Sequence, residues 1–155
     1  MFKKLMNKKL LKNQKGLTLI ELLAVIVILA IVAAIAVPAI GNIIENSRYN
    51  AVKADAINVL NAANLYFTDT PNKTTVNVSD LKKGKYLDTA GKFEDSESIM
   101  TNYIITKGTN GPNKLGASSV KFSGDKTVTF IDSTITTINK DDTKGSSIDS
   151  SKTIQ

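Results

Sequence analysis

The sequence Lys15-Gly16-Leu17-Thr18-Leu19-Ile20-Glu21 stands directly before an apolar run, Leu22 to Ile40, that contains no charged residue. Six lysines and no acidic residue lie between Met1 and Gly16. A charged side chain within a membrane costs roughly 2.5–3.5 kcal/mol at the centre of a helix, so an ionisable residue there usually marks a function. Glu21 is therefore the first candidate functional residue.

The positive charge of the chain is concentrated at its beginning. The chain has 20 basic and 14 acidic residues and a formal net charge of +6. Without the six lysines of residues 1–16, 14 basic and 14 acidic groups remain, and the rest of the chain is neutral. A lysine cluster beside an apolar segment is typical of the cytoplasmic flank of a membrane helix. This distribution favours a membrane partner and argues against nucleic acid.

The composition excludes several kinds of catalytic and metal site. The chain has no cysteine and no histidine, which rules out disulfides, thiol nucleophiles, histidine bases and Cys/His zinc sites. No motif supports Ser/Lys or carboxylate catalysis. We therefore expect that the protein is not an enzyme and needs no cofactor.

Hydrophobicity divides the chain into three parts. We assign residues 1–16 to a polar leader, 17–44 to an apolar transmembrane helix and 45–155 to a head. Pro38 and Gly41 interrupt the apolar helix. Because proline cannot donate the helical hydrogen bond, a kink or local unwinding is expected there.

The periodicity of the head predicts an α+β fold. Apolar residues recur at helical spacing over 45–67, which indicates an amphipathic helix that continues the apolar one. An α/β region follows over 72–140, with one capped helical turn at 79–84 and an antiparallel sheet of three or four strands. The tail, 141–155, is expected to be loose unless Ile148 and Ile154 pin it. The predicted strands are 99–106, two strands of a hairpin around Gly124-Asp125, and 135–138.

Three interpretations fit a cationic leader followed by an apolar run. The first is a secretory signal peptide cleaved after Ala34-Ile35-Ala36, which would discard Glu21. The second is an uncleaved signal anchor that holds a surface binding domain and never polymerises. The third is cleavage between Gly16 and Leu17, which retains Glu21 close to the new amino terminus.

The third interpretation is supported by a family resemblance. Gly16-Leu17-Thr18-Leu19-Ile20-Glu21 resembles the prepilin signature of type IV pilins and pseudopilins, and the helix-then-strand layout is similar to the pilin fold. The resemblance implies that a prepilin peptidase cuts after Gly16 and methylates the amino terminus of Leu17. Glu21 and Pro38 then become mature residues 5 and 22, where the family has a carboxylate and a proline.

Two departures from the family pattern qualify the resemblance. Leu17 stands where the family most often has phenylalanine. The C-terminal disulfide of many relatives cannot form here, because the chain has no cysteine. Cysteine-free heads occur in pilins of Gram-positive bacteria, so the resemblance is to that group.

The resemblance implies a structural subunit of a type IV pilus. The precursor would cross the cytoplasmic membrane with its leader inside and its head outside. It would then polymerise through its N-terminal helix into a cell-surface filament for adhesion, motility or biofilm formation. In that filament Glu21 would pair with the Leu17 amine of a neighbouring copy. The alternative within the same architecture is a pseudopilin of a type II secretion or competence DNA-uptake apparatus.

The same resemblance implies the partners of the chain. They are further copies of the chain in a helical filament, the peptidase and methyltransferase, the assembly platform with its cytoplasmic ATPase, and minor pilins.

Two weaker clusters have simpler explanations. A small basic patch could contact DNA or an acidic surface, but a solvated helix end explains it as well. Two groups of carboxylates could hold calcium, but no ordered ligand loop accompanies them, and no metal site is predicted. The patch is Lys82, Lys83, Lys85 and Tyr86; the carboxylates are Glu94, Asp95 and Glu97, and Asp141 and Asp142.

Overall fold

The computed structural model describes residues 2–94, 100–116 and 118–155, with side chains from residue 18 onward except at 118. The chain forms two units, residues 1–41 and 42–155. Helix α1, Phe2–Asp69, makes up the described part of the first unit and begins the second. Within its described residues, the second unit, which we call the head, adds helices α2 and α3 and six strands. Their bounds are α2 Val78–Lys83, α3 Ile135–Lys140, β1 Thr75–Asn77, β2 Ile104–Thr106, β3 Lys114–Leu115, β4 Ser118–Ser123, β5 Lys126–Phe130 and β6 Ser151–Ile154.

Helix α1 confirms the predicted joining of the apolar and amphipathic stretches. It ends at Asp69, and the backbone N–H of Thr70 still donates to the carbonyl of Tyr66 at 2.9 Å. Pro71 follows and cannot continue the helix. The helical assignment also runs through Pro38 and Gly41, so the helix is not unwound there. A kink at these two residues stays a prediction.

The head has the predicted α+β class but contains two sheets where one was predicted. The first sheet has the order β1-β2-β3 and is antiparallel, with Val76 opposite Ile105 and Ile105 opposite Leu115. The second has the order β4-β5-β6, in which β4 and β5 are antiparallel and β5 and β6 are parallel. An isolated bridge between Leu115 and Ser133 links the two sheets.

Two local predictions for the head are confirmed. The hairpin β4–β5 turns at Gly124-Asp125, where Gly124 has φ +53°, a conformation that glycine adopts without strain. The predicted helical turn is α2, which ends at Gly84. Its cap is Asn77 where the prediction had Ser79, because the Asn77 side chain accepts the backbone N–H of Asp80 at 2.8 Å.

The predicted strand 135–138 is wrong, and the predicted strand 99–106 is confirmed only over Ile104–Thr106. Ile135–Ile138 lies in helix α3, because Thr134 and Thr137 form a capping box that starts a helix. The Thr137 backbone N–H donates to the Thr134 hydroxyl at 3.2 Å, and the Thr134 N–H donates to the Thr137 hydroxyl at 3.0 Å. Only Ile104–Thr106 of the predicted strand 99–106 pairs with other strands among the described residues.

The tail was predicted to be loose, but it is part of the fold. Strand β6 pairs with β5 over four positions, from Thr127 opposite Ser151 to Phe130 opposite Ile154. The buried Ser133 hydroxyl donates to the Ile154 carbonyl at 2.7 Å. Ile148 and Ile154 are buried, as the alternative in the prediction required.

The core of the head is built on one stripe of α1. Eight apolar side chains of the helix are buried in the core: Tyr49, Val52, Ala56, Val59, Leu60, Ala62, Ala63 and Phe67. Both sheets contribute to the same core, through residues such as Ile105 and Leu115 from the first and Val128 and Phe130 from the second. The burial of this stripe fixes both sheets and their turns on α1.

Candidate functional site

The apolar part of α1 has no covering within the first unit. Every large apolar side chain between Leu19 and Ile40 is exposed, from 49% at Val27 to 72% at Ile35. Soluble monomers rarely expose an apolar surface of this extent. Thr18–Asp69 is also the one described stretch that is long and apolar enough to cross a membrane. This segment therefore requires a membrane or other protein chains around it.

Glu21 is the only ionisable residue between Thr18 and Ile44. Its side chain is exposed on α1 among the apolar ones. Gly16 and Leu17 lie within the bounds of α1, but their side chains are outside the described ones. Residues four apart lie on the same helix face. Leu17 and Glu21 are therefore neighbours on one face, one turn apart.

Pro38 and Gly41 are exposed on the same helix. A Cβ placed on Gly41 would have no atom within 4 Å. No described residue therefore requires a glycine at this position, and its role would lie in backbone flexibility or in close approach of another chain.

Polar side chains of α1 tie it to the rest of the head. Each charged residue of α1 within the head contacts another part of the head. The polar side chains of this amphipathic helix therefore serve contacts within the head. The contacts are Glu45 with Lys126 Nζ at 2.9 Å, Arg48 with Ser123 Oγ at 3.4 Å, Lys53 with Asp141 Oδ2 at 3.2 Å, Asp55 with the Lys92 N–H at 2.9 Å, and Asp69 with the Tyr86 hydroxyl at 3.0 Å.

Asp141 is the centre of the most connected of these contacts. Its side chain is only 9% exposed. It accepts hydrogen bonds from the Tyr49 hydroxyl at 2.8 Å, the Thr143 hydroxyl at 2.7 Å and Lys53 Nζ at 3.2 Å, and Lys152 Nζ lies 3.8 Å away. We call these five residues the Asp141 cluster. It joins α1 to the start of the tail and to β6.

The cluster holds Asp141 in its charged form. Burial by itself would raise the pKa of Asp141, but the hydrogen bonds from Thr143, Tyr49 and Lys53 outweigh it and lower the pKa. The pKa of Tyr49 is raised, first by burial and then by its bond to the Asp141 carboxylate. The charged carboxylate and the neutral phenol are therefore the stable pair at neutral pH.

The tail crosses α1 closely at Gly145. A Cβ at this position would lie 2.5 Å from the Glu45 carbonyl oxygen and 2.7 Å from Tyr49 Cβ. The next backbone N–H, that of Ser146, donates to the Asn46 side chain at 2.9 Å. Only glycine allows this approach of the two backbones.

The two weaker clusters of the sequence have structural partners. Lys82 pairs with Glu94, and Tyr86 donates to Asp69. Asp141 is occupied by the cluster described above, and Asp95 and Glu97 lie outside the described residues. No group of three or more possible metal ligands occurs among the residues that the structure describes. Sequence reasoning did not identify the Asp141 cluster, because its members are far apart in the sequence: Tyr49 and Asp141 are separated by 92 positions.

The comparisons with known proteins identify the N-terminal segment. Residues 11–37 match the family model described as the prokaryotic N-terminal methylation motif, which is the leader signature of type IV prepilins. This motif implies processing by a prepilin peptidase and assembly into a filament. The matched segment includes Gly16, Leu17, Glu21 and the apolar run up to Val37. Neither the curated proteins nor the solved structures gave a match.

The motif distinguishes between the interpretations of the apolar segment. Length and hydrophobicity describe a signal sequence and a membrane anchor equally well. The methylation motif, by contrast, supports a membrane-anchored precursor. The chain is therefore a membrane-anchored precursor that carries the leader signature of type IV prepilins.

Proposed function

We propose that this chain is the precursor of a structural subunit of a type IV pilus. The observation that carries the proposal is the methylation motif over residues 11–37, with its single carboxylate at Glu21. The fully exposed apolar face of α1 supports it, because polymerisation would cover that face.

The junction between Gly16 and Leu17 would act as an assembly switch. Cleavage creates a cationic amine on Leu17, and methylation preserves its charge. In a filament core the apolar helices exclude water, so an isolated amine or carboxylate would be strongly destabilising. Pairing of Glu21 with the Leu17 amine of a neighbouring copy removes both penalties.

The pair would also set the axial register of the subunits. A copy that docks at the wrong height buries two unpaired charges, whereas a copy at the right height buries none. The apolar surface supplies the attraction between helices, and the charge pair selects one arrangement. The uncleaved precursor lacks the amine and would therefore stay in the membrane.

The head would form the outer surface of the pilus and would have no catalytic role. Its surfaces would contact neighbouring copies and would determine adhesion. The partners of the proposed pathway are the peptidase and methyltransferase, the assembly platform with its cytoplasmic ATPase, minor pilins and further copies of the chain. The precursor would be in the cytoplasmic membrane and the assembled subunit on the cell surface.

The first test is the mass of the N-terminal peptide of the protein recovered from cells. We expect a methylated Leu17 at the amino terminus. A chain that starts at Val37 would indicate a secretory signal peptide. An intact Met1 would indicate a signal anchor that never polymerises, and either result would contradict the proposal.

The second test replaces Glu21. Glu21→Ala and the isosteric Glu21→Gln should both be cleaved and retained in the membrane but should form few filaments, because the Leu17 amine has no partner. Asp142→Asn, which removes an exposed carboxylate of the head, is the matched control and should assemble normally. Filament yield is measured by electron microscopy of sheared material. Wild-type yields from Glu21→Gln would refute the pairing role.

A further inference from the structure

A positively charged cleft lies beside α1 in the head. Its volume is about 370 Å³. The residues that line it come from α1, from the 3₁₀ turn Gly91–Phe93 and from the end of β4 with the following turn. They are Arg48, Lys92, Lys121, Phe122, Ser123 and Gly124. We call it the Arg48 cleft.

Separate contacts fix the backbone that carries each cation. Arg48 is held by α1 itself. The turn that carries Lys92 is held on α1 because the Asp55 carboxylate accepts the Lys92 N–H at 2.9 Å. Lys121 is held by strand β4, whose Phe122 ring packs edge-on against Tyr49 with the centroids 5.3 Å apart. The three cations therefore line one cleft without any rearrangement of the fold.

Among the described residues, the cleft has three cations and two neighbouring carboxylates, Asp55 and Asp125, so positive charge is in excess. Arg48 has no carboxylate within 4 Å among the described residues, and its guanidinium donates only a long hydrogen bond, 3.4 Å, to Ser123 Oγ. The Asp55 carboxylate is used by the Lys92 backbone. Asp125 lies 3.6 Å from Lys121 Nζ, but both side chains are well exposed, so this pair is weak.

The presence of an arginine in the cleft indicates an oxyanion as its ligand. Arg48 is the only arginine among the 20 basic residues of the chain. Arginine presents a planar set of donors that matches phosphate and carboxylate, whereas lysine is a flexible point charge. The Ser123 hydroxyl adds a further donor at the same cleft.

The cleft lies at the end of the head where the apolar segment stops. The 2.9 Å pair of Glu45 with Lys126 and the contact of Arg48 with Ser123 hold the β4–β5 turn beside the first residues of α1 in the head. Arg48 follows Ile44, the last residue of the apolar segment 17–44, by four positions, which is about 6 Å along a helix. The headgroup layer on each side of a bilayer is roughly 5–8 Å thick. The long side chain of Arg48 is therefore close enough to the end of the apolar segment to reach the lipid phosphates when that segment is in a membrane.

We propose that the Arg48 cleft binds the phosphate groups of anionic phospholipids and holds the head of the precursor against the outer face of the cytoplasmic membrane. This inference rests on the membrane-anchored state of the proposed function but not on polymerisation. The positive charge of the cleft and its position near the end of the apolar segment favour lipid phosphates as the ligand. A nucleic acid would gain no binding energy from base stacking, because the Phe122 ring is only 3% exposed.

The test uses hydrogen exchange of the full-length chain in lipid nanodiscs. One set contains equal parts of phosphatidylglycerol and phosphatidylcholine, and the other contains phosphatidylcholine alone. We expect slower exchange of the amides of 121–126 in the anionic nanodiscs. Arg48→Gln and Lys121→Gln should each reduce this protection about fivefold, the typical effect of one basic residue at an anionic surface.

Two further variants sharpen the test. Lys73→Gln is the matched control, because it removes an exposed lysine just beyond the opposite end of α1 and should leave the protection unchanged. Asp125→Asn removes the carboxylate that competes for Lys121 and should increase the protection. Near-UV circular dichroism of the tyrosines checks that each variant keeps the folded head.

Several results would overturn the proposal. Equal exchange in the two kinds of nanodisc would do so, and so would an equal loss in Lys73→Gln. Equal protection by inorganic phosphate added to phosphatidylcholine nanodiscs would assign the cleft to a free anion. Filament formation is scored separately, so loss of lipid binding and failure of the pilus proposal give different results.

Discussion

Asp141→Ala is expected to destabilise the head more than any other single change to a polar side chain that we consider. The substitution removes the common acceptor of the Tyr49 hydroxyl, the Thr143 hydroxyl and Lys53 Nζ. Thr143 can turn to water, but Tyr49 is fully buried and Lys53 is only 13% exposed at its side chain. Tyr49 would lose its acceptor, and Lys53 would lose its ion pair and keep only its hydrogen bond to the Asp141 backbone carbonyl.

The expected cost follows from these two donors. A buried donor that loses its acceptor costs about 1–3 kcal/mol, and more when it is charged. Breaking a buried ion pair costs about 3–5 kcal/mol, but Lys53 has a flexible stem that can reach solvent, which reduces the penalty. We therefore expect Asp141→Ala to lower the free energy of unfolding by about 3 kcal/mol.

The assay is urea unfolding of the full-length chain in detergent, followed by near-UV circular dichroism. All four tyrosines lie in the head, so this signal reports the head and not the apolar helix. The matched control is Asp142→Ala. It removes the neighbouring exposed carboxylate, and its effect should stay within about 0.5 kcal/mol.

A double-mutant cycle with Tyr49→Phe tests the reasoning directly. Tyr49→Phe alone should cost about 1 kcal/mol, and its effect should become smaller in the Asp141→Ala background because the acceptor is already absent. If Asp141→Ala proves as mild as Asp142→Ala, or if the two effects simply add, the Asp141 cluster does not stabilise the attachment of the tail to α1.

Three further predictions concern the same part of the head. Gly145→Ala should destabilise the head by about 1–3 kcal/mol, because the new Cβ would clash with Glu45 and Tyr49; Gly111→Ala, at an open position, should be neutral in the same urea titration. The pKa of Asp141 is lowered in the folded protein, so Asp141 stabilises the head fully above its ordinary pKa of about 4, and this stabilisation is lost as the pH falls through the folded pKa. The stability of Asp141→Asn should therefore depend less on acid than that of the wild type, and identical acid transitions would contradict this. Thr134→Ala should cost about 1 kcal/mol through loss of the cap of α3, and an unchanged urea midpoint would show that the cap is dispensable.

The N-terminal half of the protein could be predicted from its sequence because its determinants are local. The hydrophobicity of residues 22–40, the lysines before Gly16 and the position of Glu21 all lie within one short stretch. Helix α1 followed from the same kind of signal, since apolar residues at helical spacing need only one surface to pack on. The hairpin β4–β5 was also predictable, because Gly124-Asp125 marks a turn between alternating strands.

The errors in the head have identifiable physical causes. Ile135–Ile138 has the composition of a strand, but the capping box formed by Thr134 and Thr137 starts a helix there. The tail is polar, which predicts disorder, but β6 is ordered by hydrogen bonds to β5. No local sequence pattern indicates these hydrogen bonds. The parallel pairing of β5 with β6 joins residues that are 24 positions apart, such as Thr127 and Ser151, so it is not a local feature of the sequence.

The sequence by itself determined that this chain has a prepilin-like leader, a membrane-compatible helix, a single carboxylate at Glu21 and no cysteine or histidine chemistry. These properties depend on residue type and on spacing over one or two helical turns. Only the tertiary structure decided that Asp141 fastens the tail to α1 and that Arg48, Lys92 and Lys121 share one cleft. The physical reason is distance along the chain: Tyr49 and Asp141 are 92 positions apart and Arg48 and Ser123 are 75 apart, so only packing of the sheets on α1 brings them together.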